Sequence, residues 1–83
     1  MAKPKLDITN NIRRLRFDND EMTQQGLAKK VGASRQTINN VESGKYYPSL
    51  ELAFLIAQGL NAKIEDVFFC ERTEKIDESS DNI

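Results

Sequence analysis

The chain has no histidine, no tryptophan and a single cysteine among its 83 residues. Without histidine there is no imidazole for acid–base chemistry and no His-ligated metal. One thiol, Cys70, can form neither an internal disulfide nor a multi-thiolate zinc site. The glycines number four, and no Gly-rich loop that could cradle a phosphate is present. No nucleophile–base pair or metal cluster is apparent, so neither an enzyme nor a cofactor is expected. No run approaches the ~20 apolar residues that a membrane span requires. The N-terminus lacks the apolar stretch of a secretory signal, so a cytoplasmic protein with no membrane partner is expected. One domain takes about 100–200 residues, which fits one small domain here. A chain of this size buries only about 60–65% of its unfolded surface, leaving little room for a deep cleft.

Acidic residues are scarce in the first part of the chain and abundant in the rest. Residues 1–47 carry nine Lys/Arg against five Asp/Glu, whereas residues 48–83 carry three against eight. The net charge of −1 hides this division. An asymmetry of this kind suits one-sided binding of a polyanion, although it also occurs in proteins that bind nothing charged.

Residues 1–8 contain Pro4 and alternate polar with apolar at Leu6 and Ile8, which suggests an extended arm. From Thr9 the period changes. Ile8, Ile12 and Leu15 follow i, i+4, i+7, the inner stripe of an amphipathic helix, which Asp18-Asn19-Asp20 ends. Arg13 and Arg14 fall on its outer faces, where solvent or a phosphate would suit them equally. Thr23 is an N-cap for a second helix, with Met22 and Leu27 at staple spacing. Gly26 stands at the third position, where a capping box would have Glu or Gln. It should cost ~1 kcal/mol or less relative to alanine, so this helix is expected to be the least stable. Gly32 ends it, and Ser34 caps a third helix that runs to Ser43 before Gly44.

The third helix has only Ile38 and Val41 as inner apolar positions. Its outer face is Arg35, Gln36, Asn39 and Asn40. A merely solvated helix would favour Glu and Lys, which make better helices and better i,i+4 pairs. Asn39-Asn40 is a propensity loss with no evident local compensation, the kind of conflict that marks a functional position. Amides match the N6/N7 edge of adenine, and a guanidinium forks onto O6/N7 of guanine. After the loop Lys45-Tyr46-Tyr47-Pro48, Ser49 caps a fourth helix over Leu50–Leu60, and Asn61 suits the left-handed residue after it. A short apolar turn of helix is expected over Ile64–Phe69. Phe54 and Phe68 are expected in the core. Phe68 and Phe69 cannot both face it from one helical turn, so Phe69 is assigned to an interface. Residues 71–83 hold five acids and two bases and are expected to form a mostly disordered tail. Cys70 is expected to be a small packing residue or an idle thiol.

Two short helices joined by Gly32-Ala33-Ser34 have helix-turn-helix spacing. The ordered series Leu15-Arg16, Met22–Ala28, Val31–Asn39, Glu42–Ala53 and Ile64–Phe68 resembles the Cro/repressor-type helix-turn-helix family, also called the xenobiotic-response-element family of regulators, in its short single-domain subgroup. The resemblance implies an all-α fold, a five-helix DNA-binding domain over residues 9–70. The arm residues Leu6-Asp7-Ile8 are expected to pair with Phe68-Phe69-Cys70 as a small two-stranded antiparallel sheet. It implies base reading by Arg35, Gln36 and Asn40, with Asn39 facing the groove or a nearby phosphate. Phosphate contacts are implied for Thr23, Gln24, Ser34, Thr37, Ser43, Lys45, Tyr46 and Tyr47. Gln24 is also implied to brace the first side chain of the recognition helix, and Arg16 and Glu42 to form an internal ion pair. Two features depart from the family pattern: Gly26 replaces an acidic residue, and Leu55 and Gln58 stand where basic residues are common.

The function implied is a sequence-specific regulator of transcription, a repressor, whose partner is double-stranded DNA. One short helix reads too few base pairs to find a genomic site, since each bidentate contact discriminates by ~1–3 kcal/mol. A homodimer on a palindrome is therefore expected, with half-site centres ~10–11 base pairs apart. Leu55, Phe69 and Cys70 are assigned to its interface, and no small-molecule ligand is evident. The rival reading is an antitoxin or anti-regulator whose tail, residues 71–83, folds onto another protein.

Overall fold

A computed structural model describes residues 6–72. The chain order is β1 (Leu6–Asn10), α1 (Ile12–Asp18), α2 (Gln24–Val31), α3 (Arg35–Glu42), α4 (Leu50–Gly59), α5 (Ile64–Val67) and β2 (Phe68–Arg72). Five helices thus stand beside a two-stranded antiparallel sheet of β1 and β2. Ile8 pairs with Cys70 and Thr9 with Phe69. The ladder takes in Leu6, Asp7 and Ile8 of the expected arm, and its main chain continues through Glu71 and Arg72. Residues 1–5 of the expected arm and residues 73–83 of the expected tail lie outside the described residues.

Each of the three longest helices begins on a hydroxyl cap. The Thr23 side chain accepts from Gly26 N, Ser34 from Thr37 N and Ser49 from Leu52 N, each satisfying one orphan donor of a first turn. Gly32 ends α2 at φ 74°, where a side chain would be strained. A Cβ on Gly26 would lie 3.2 Å from Thr23 Oγ1. The equivalent caps of α3 and α4 close on Thr37 and Leu52 at 3.0 and 3.1 Å, so the cap alone does not call for glycine.

The core is formed by Ile12 from α1, Leu27, Ala28 and Val31 from α2, Ile38 and Val41 from α3, Ile56, Ala57 and Leu60 at α4, and Val67 from α5. Burying each large side chain contributes about 1.5–3 kcal/mol relative to exposure. Met22 packs against this cluster, as the staple spacing implies. Gly59 marks the closest approach of α4 to α2. A Cβ there would meet Leu27 Cδ1 at 3.1 Å and Val31 Cγ1 at 3.4 Å.

Three local expectations are corrected. Helix α1 begins at Ile12 rather than Thr9, because Thr9 and Asn10 are committed to the ladder with Phe69 and Phe68. Ile8 is therefore a strand residue and does not extend the helical stripe. Helix α5 stops at Val67, and Phe68 and Phe69 continue as strand. Strand geometry sends neighbouring side chains to opposite faces, so Phe68 packs against the core while Phe69 remains 45% exposed. Phe54 is not a core residue: it is 48% exposed beside α4's Ala53, Ile56 and Ala57, which turn inward instead. Among the described residues no helix is long and apolar enough to cross a membrane.

Candidate nucleic-acid interface

Helix α3 owes its placement to two inner residues and one ion pair. Ile38 and Val41 are buried and turn the opposite face outward. Arg16 reaches from α1 to the last residue of α3. Its Nε donates to Glu42 Oε1 at 3.2 Å and its Nη2 to Oε2 at 2.8 Å. Its Nη1 donates to the Met22 carbonyl at 2.8 Å, which also secures the entry to α2. The two side chains are 15% and 12% exposed. A forked, largely dry pair of this kind holds geometry far better than a surface ion pair.

Arg35, Gln36 and Asn39 are exposed, and Asn40 is half-buried. Arg35, Gln36 and Asn39 line one open hollow. The Gln36 Nε2 donates to Asn40 Oδ1 at 3.2 Å, one helical turn on. The Gln24 Nε2 donates to Asn39 Oδ1 at 3.3 Å and to Glu42 Oε1 at 3.2 Å. The asparagine pair is thus compensated locally after all, each amide by a glutamine. Gln24 braces Asn39 and Glu42; the sequence comparison had pointed to Arg35, the first side chain of α3.

The remaining expected positions surround this face. Thr23 and Ser34 are exposed at the starts of α2 and α3, and the Ser34 and Thr37 hydroxyls are 2.9 Å apart. At the far end, the Asn40 carbonyl accepts from Lys45 N at 2.9 Å and from Tyr46 N at 3.2 Å, and Ser43 Oγ donates to it at 3.3 Å. These bonds tie the loop to the helix. They leave Lys45 exposed, with Tyr46 and Tyr47 about half exposed. A broad groove between α1 and α3 is lined by Arg13, Arg14, Phe17, Gln24, Asn39 and Ser43, among others. The outer Arg14 meets Asp18 only at 3.9 Å in solvent, which contributes little. Cationic and amide groups therefore converge on one side of the molecule, where anionic oxygens and base edges could both be met.

The residues expected at a subunit contact are separately disposed. Leu55 is 36% exposed on α4, and Phe69 and Cys70 are exposed on β2. Phe69 and Cys70 are adjacent in a strand and present opposite faces of the ribbon. Two asparagines that fix the helices around this face were not legible in the sequence. Asn10 Nδ2 donates to the Val41 and Glu42 carbonyls, while its Oδ1 accepts from Ile12 N. Asn19 Nδ2 donates to the Leu15 and Leu60 carbonyls. The signal available for Asn10 was its place at the end of an alternating segment; the partner 31 residues away was not legible.

Two short helices joined by a tight turn, the second offering its polar side to the exterior, define a helix-turn-helix protein. The family profile described as Helix-turn-helix matches residues 12–67, and the chain belongs to that family, in its Cro/C1-type branch. An uncharacterised HTH-type transcriptional regulator of Methanocaldococcus jannaschii is 58% identical over 53 residues, covering 64% of this chain and 80% of that protein. The uncharacterised HTH-type transcriptional regulator YgzD of Bacillus subtilis is 45% identical over 49 residues, covering 59% of this chain and 74% of that one. The crystal structure of the restriction-modification controller protein C.AhdI from Aeromonas hydrophila matches with a TM-score of 0.61 at 27% identity, over 66% of this chain and 82% of that chain. The transcriptional regulator VanUg shares the fold at a TM-score of 0.68 and 22% identity, over 87% of this chain and 95% of that chain.

Proposed function

We propose that the protein is a sequence-specific double-stranded-DNA-binding repressor that acts as a homodimer on a palindromic operator. The observation that carries this reading is the uncovered outer face of α3, on which Arg35, Gln36 and Asn39 are exposed together. Set in the major groove, Arg35 forks onto guanine, Gln36 meets adenine through both its amide atoms, and Asn39 and Asn40 reach neighbouring base edges. The hydroxyls of Thr23, Ser34, Thr37 and Ser43, with Lys45, Tyr46 and Tyr47, hold the backbone on either side. Gln24 meets phosphate through its main-chain N–H, at the start of α2. The Arg16–Glu42 pair has a structural role.

The HTH-type regulators of M. jannaschii and B. subtilis and the controller protein C.AhdI support transcriptional control as the biological role. Two copies reading half-sites one turn of DNA apart double the information of one helix. Leu55, Phe69 and Cys70 are the apolar positions proposed to meet the second copy, and a domain of this kind seated across an operator represses by occlusion. The protein acts in the cytoplasm, with no membrane partner, cofactor or small-molecule ligand.

Selection of bound sequences from a random duplex pool tests this reading. A palindromic consensus is expected; enrichment of no sequence at all would refute it. Arg35→Ala should relax preference at one position. Lys45→Ala should weaken all duplexes alike and reduce the salt slope by about one unit.

A further inference from the structure

We infer that the Arg16–Glu42 ion pair sets, through Gln24, which end of the Asn39 amide faces the DNA, so that Asn39 presents a hydrogen-bond donor. The inference rests on the proposed function and assigns one base preference within it. An asparagine side chain is nearly symmetric in shape but not in chemistry: one end accepts and the other donates. What decides its orientation is the neighbour it bonds.

Here that neighbour is itself fixed. The Glu42 carboxylate can only accept, and both its oxygens already bond Arg16. The Gln24 amide lies 3.2 Å from Glu42 Oε1, so it must present its nitrogen there. That same Nε2 lies 3.3 Å from Asn39. Asn39 must therefore answer with its oxygen, and its Nδ2 is the end left for a ligand. Both Gln24 amide protons are used within the protein. Its side chain has only a carbonyl to offer, which a phosphate oxygen cannot bond. Gln24 is thus a positioning residue whose side chain makes no contact with DNA.

The neighbouring Gln36–Asn40 pair is different in kind. Its 3.2 Å bond is the only side-chain bond recorded for either amide among the described residues, and no charged group anchors either end. Turning both amides over preserves the bond, so this pair can adapt to its base. Asn39 cannot do so without breaking a contact to a carboxylate. Gln24 engages one of the two lone pairs of Asn39 Oδ1, so what the fixed orientation guarantees toward the DNA is the donor. Guanine O6 and N7, adenine N7 and thymine O4 are all acceptors that its Nδ2 suits, whereas cytosine offers only the N4 donor.

The test combines sequence selection on the full chain with side-chain amide spectra. Asn39→Ala identifies the base pair that Asn39 reads, as the position whose preference it relaxes. In the wild type that position should disfavour cytosine on the strand that Asn39 reads by about tenfold, the lower end of what one misread base pair costs. Gln24→Met is nearly isosteric and donates nothing. It should lower that ratio to about threefold or less while leaving preferences elsewhere intact. In the free protein, the Gln24 side-chain amide protons should exchange with water more slowly than those of exposed Gln25. A wild-type preference for cytosine there would overturn the inference. So would an unchanged ratio in Gln24→Met, a uniform loss of affinity in Asn39→Ala, or Gln24 protons exchanging as fast as those of Gln25. Enrichment of no sequence by the wild type would instead refute the proposed function itself.

Discussion

Replacing Arg16 with leucine should cost far more than the loss of a surface ion pair. The guanidinium donates to both Glu42 oxygens and to the Met22 carbonyl. Leucine leaves a carboxylate 12% exposed, with Gln24 as its one remaining side-chain donor in this network. Breaking a fully buried pair costs about 3–5 kcal/mol. The residual access of water lowers this to about 2–4 kcal/mol. For a domain of this size, each kcal/mol moves the thermal midpoint by about 4–8 °C, so a fall of about 8–32 °C is expected by circular dichroism. The double variant Arg16→Leu/Glu42→Leu removes both charges, fills the space with apolar groups and should return to within about 1 kcal/mol of the wild type. Raising salt to about 0.5 M, roughly three times physiological ionic strength, should leave the single variant's deficit in place, because a largely dry pair is poorly screened. A deficit below about 1 kcal/mol, or a double variant no better than the single one, would refute this reasoning.

Gly59→Ala should lower stability by about 1 kcal/mol in urea titration: crowding against Leu27 and Val31 outweighs the gain in helix propensity. A gain in stability would show that α2 and α4 can part freely. Asp20 and Glu21 occupy left-handed backbone at φ 64° and 55° in the α1–α2 turn. Glu21→Gly should therefore raise stability by about 0.5–1 kcal/mol, and a lower urea midpoint would count against strain there. Ser34→Ala should lower stability by about 1 kcal/mol, through the loss of the cap on Thr37 N. Light scattering at micromolar concentration should give twice the 9.5 kDa mass of one chain; a mass of one chain would contradict the proposed dimer.

The elements with local causes were legible. Thr23, Ser34 and Ser49 announce helix starts through a hydroxyl followed by apolar spacing, and Gly32 announces a stop. The polar face of α3 was legible because Ile38 and Val41 leave only one way to turn the helix inward. The start of α1 was not, since Ile8 satisfies both a helical and an alternating pattern. What decides between them is Cys70 across the ladder, 62 residues further on. The exposure of Phe54 escaped notice for a similar reason. An apolar helix has more than one apolar side, and the core has room for the Ile56 side. The Gln24 contacts were invisible because they depend on α2 and α3 crossing closely enough for two amides to meet.

The single side chain of Asn10 joins the strand ribbon to the final carbonyls of α3, Val41 and Glu42, at 3.1 and 3.3 Å. The last turn of α3 is therefore riveted to the sheet, at the opposite end of the helix from Arg35 and Gln36. Any body that grips the ribbon acquires a lever on the tilt of that helix. In the proposed dimer, the spacing of the two recognition helices is then set partly at the rear of each molecule.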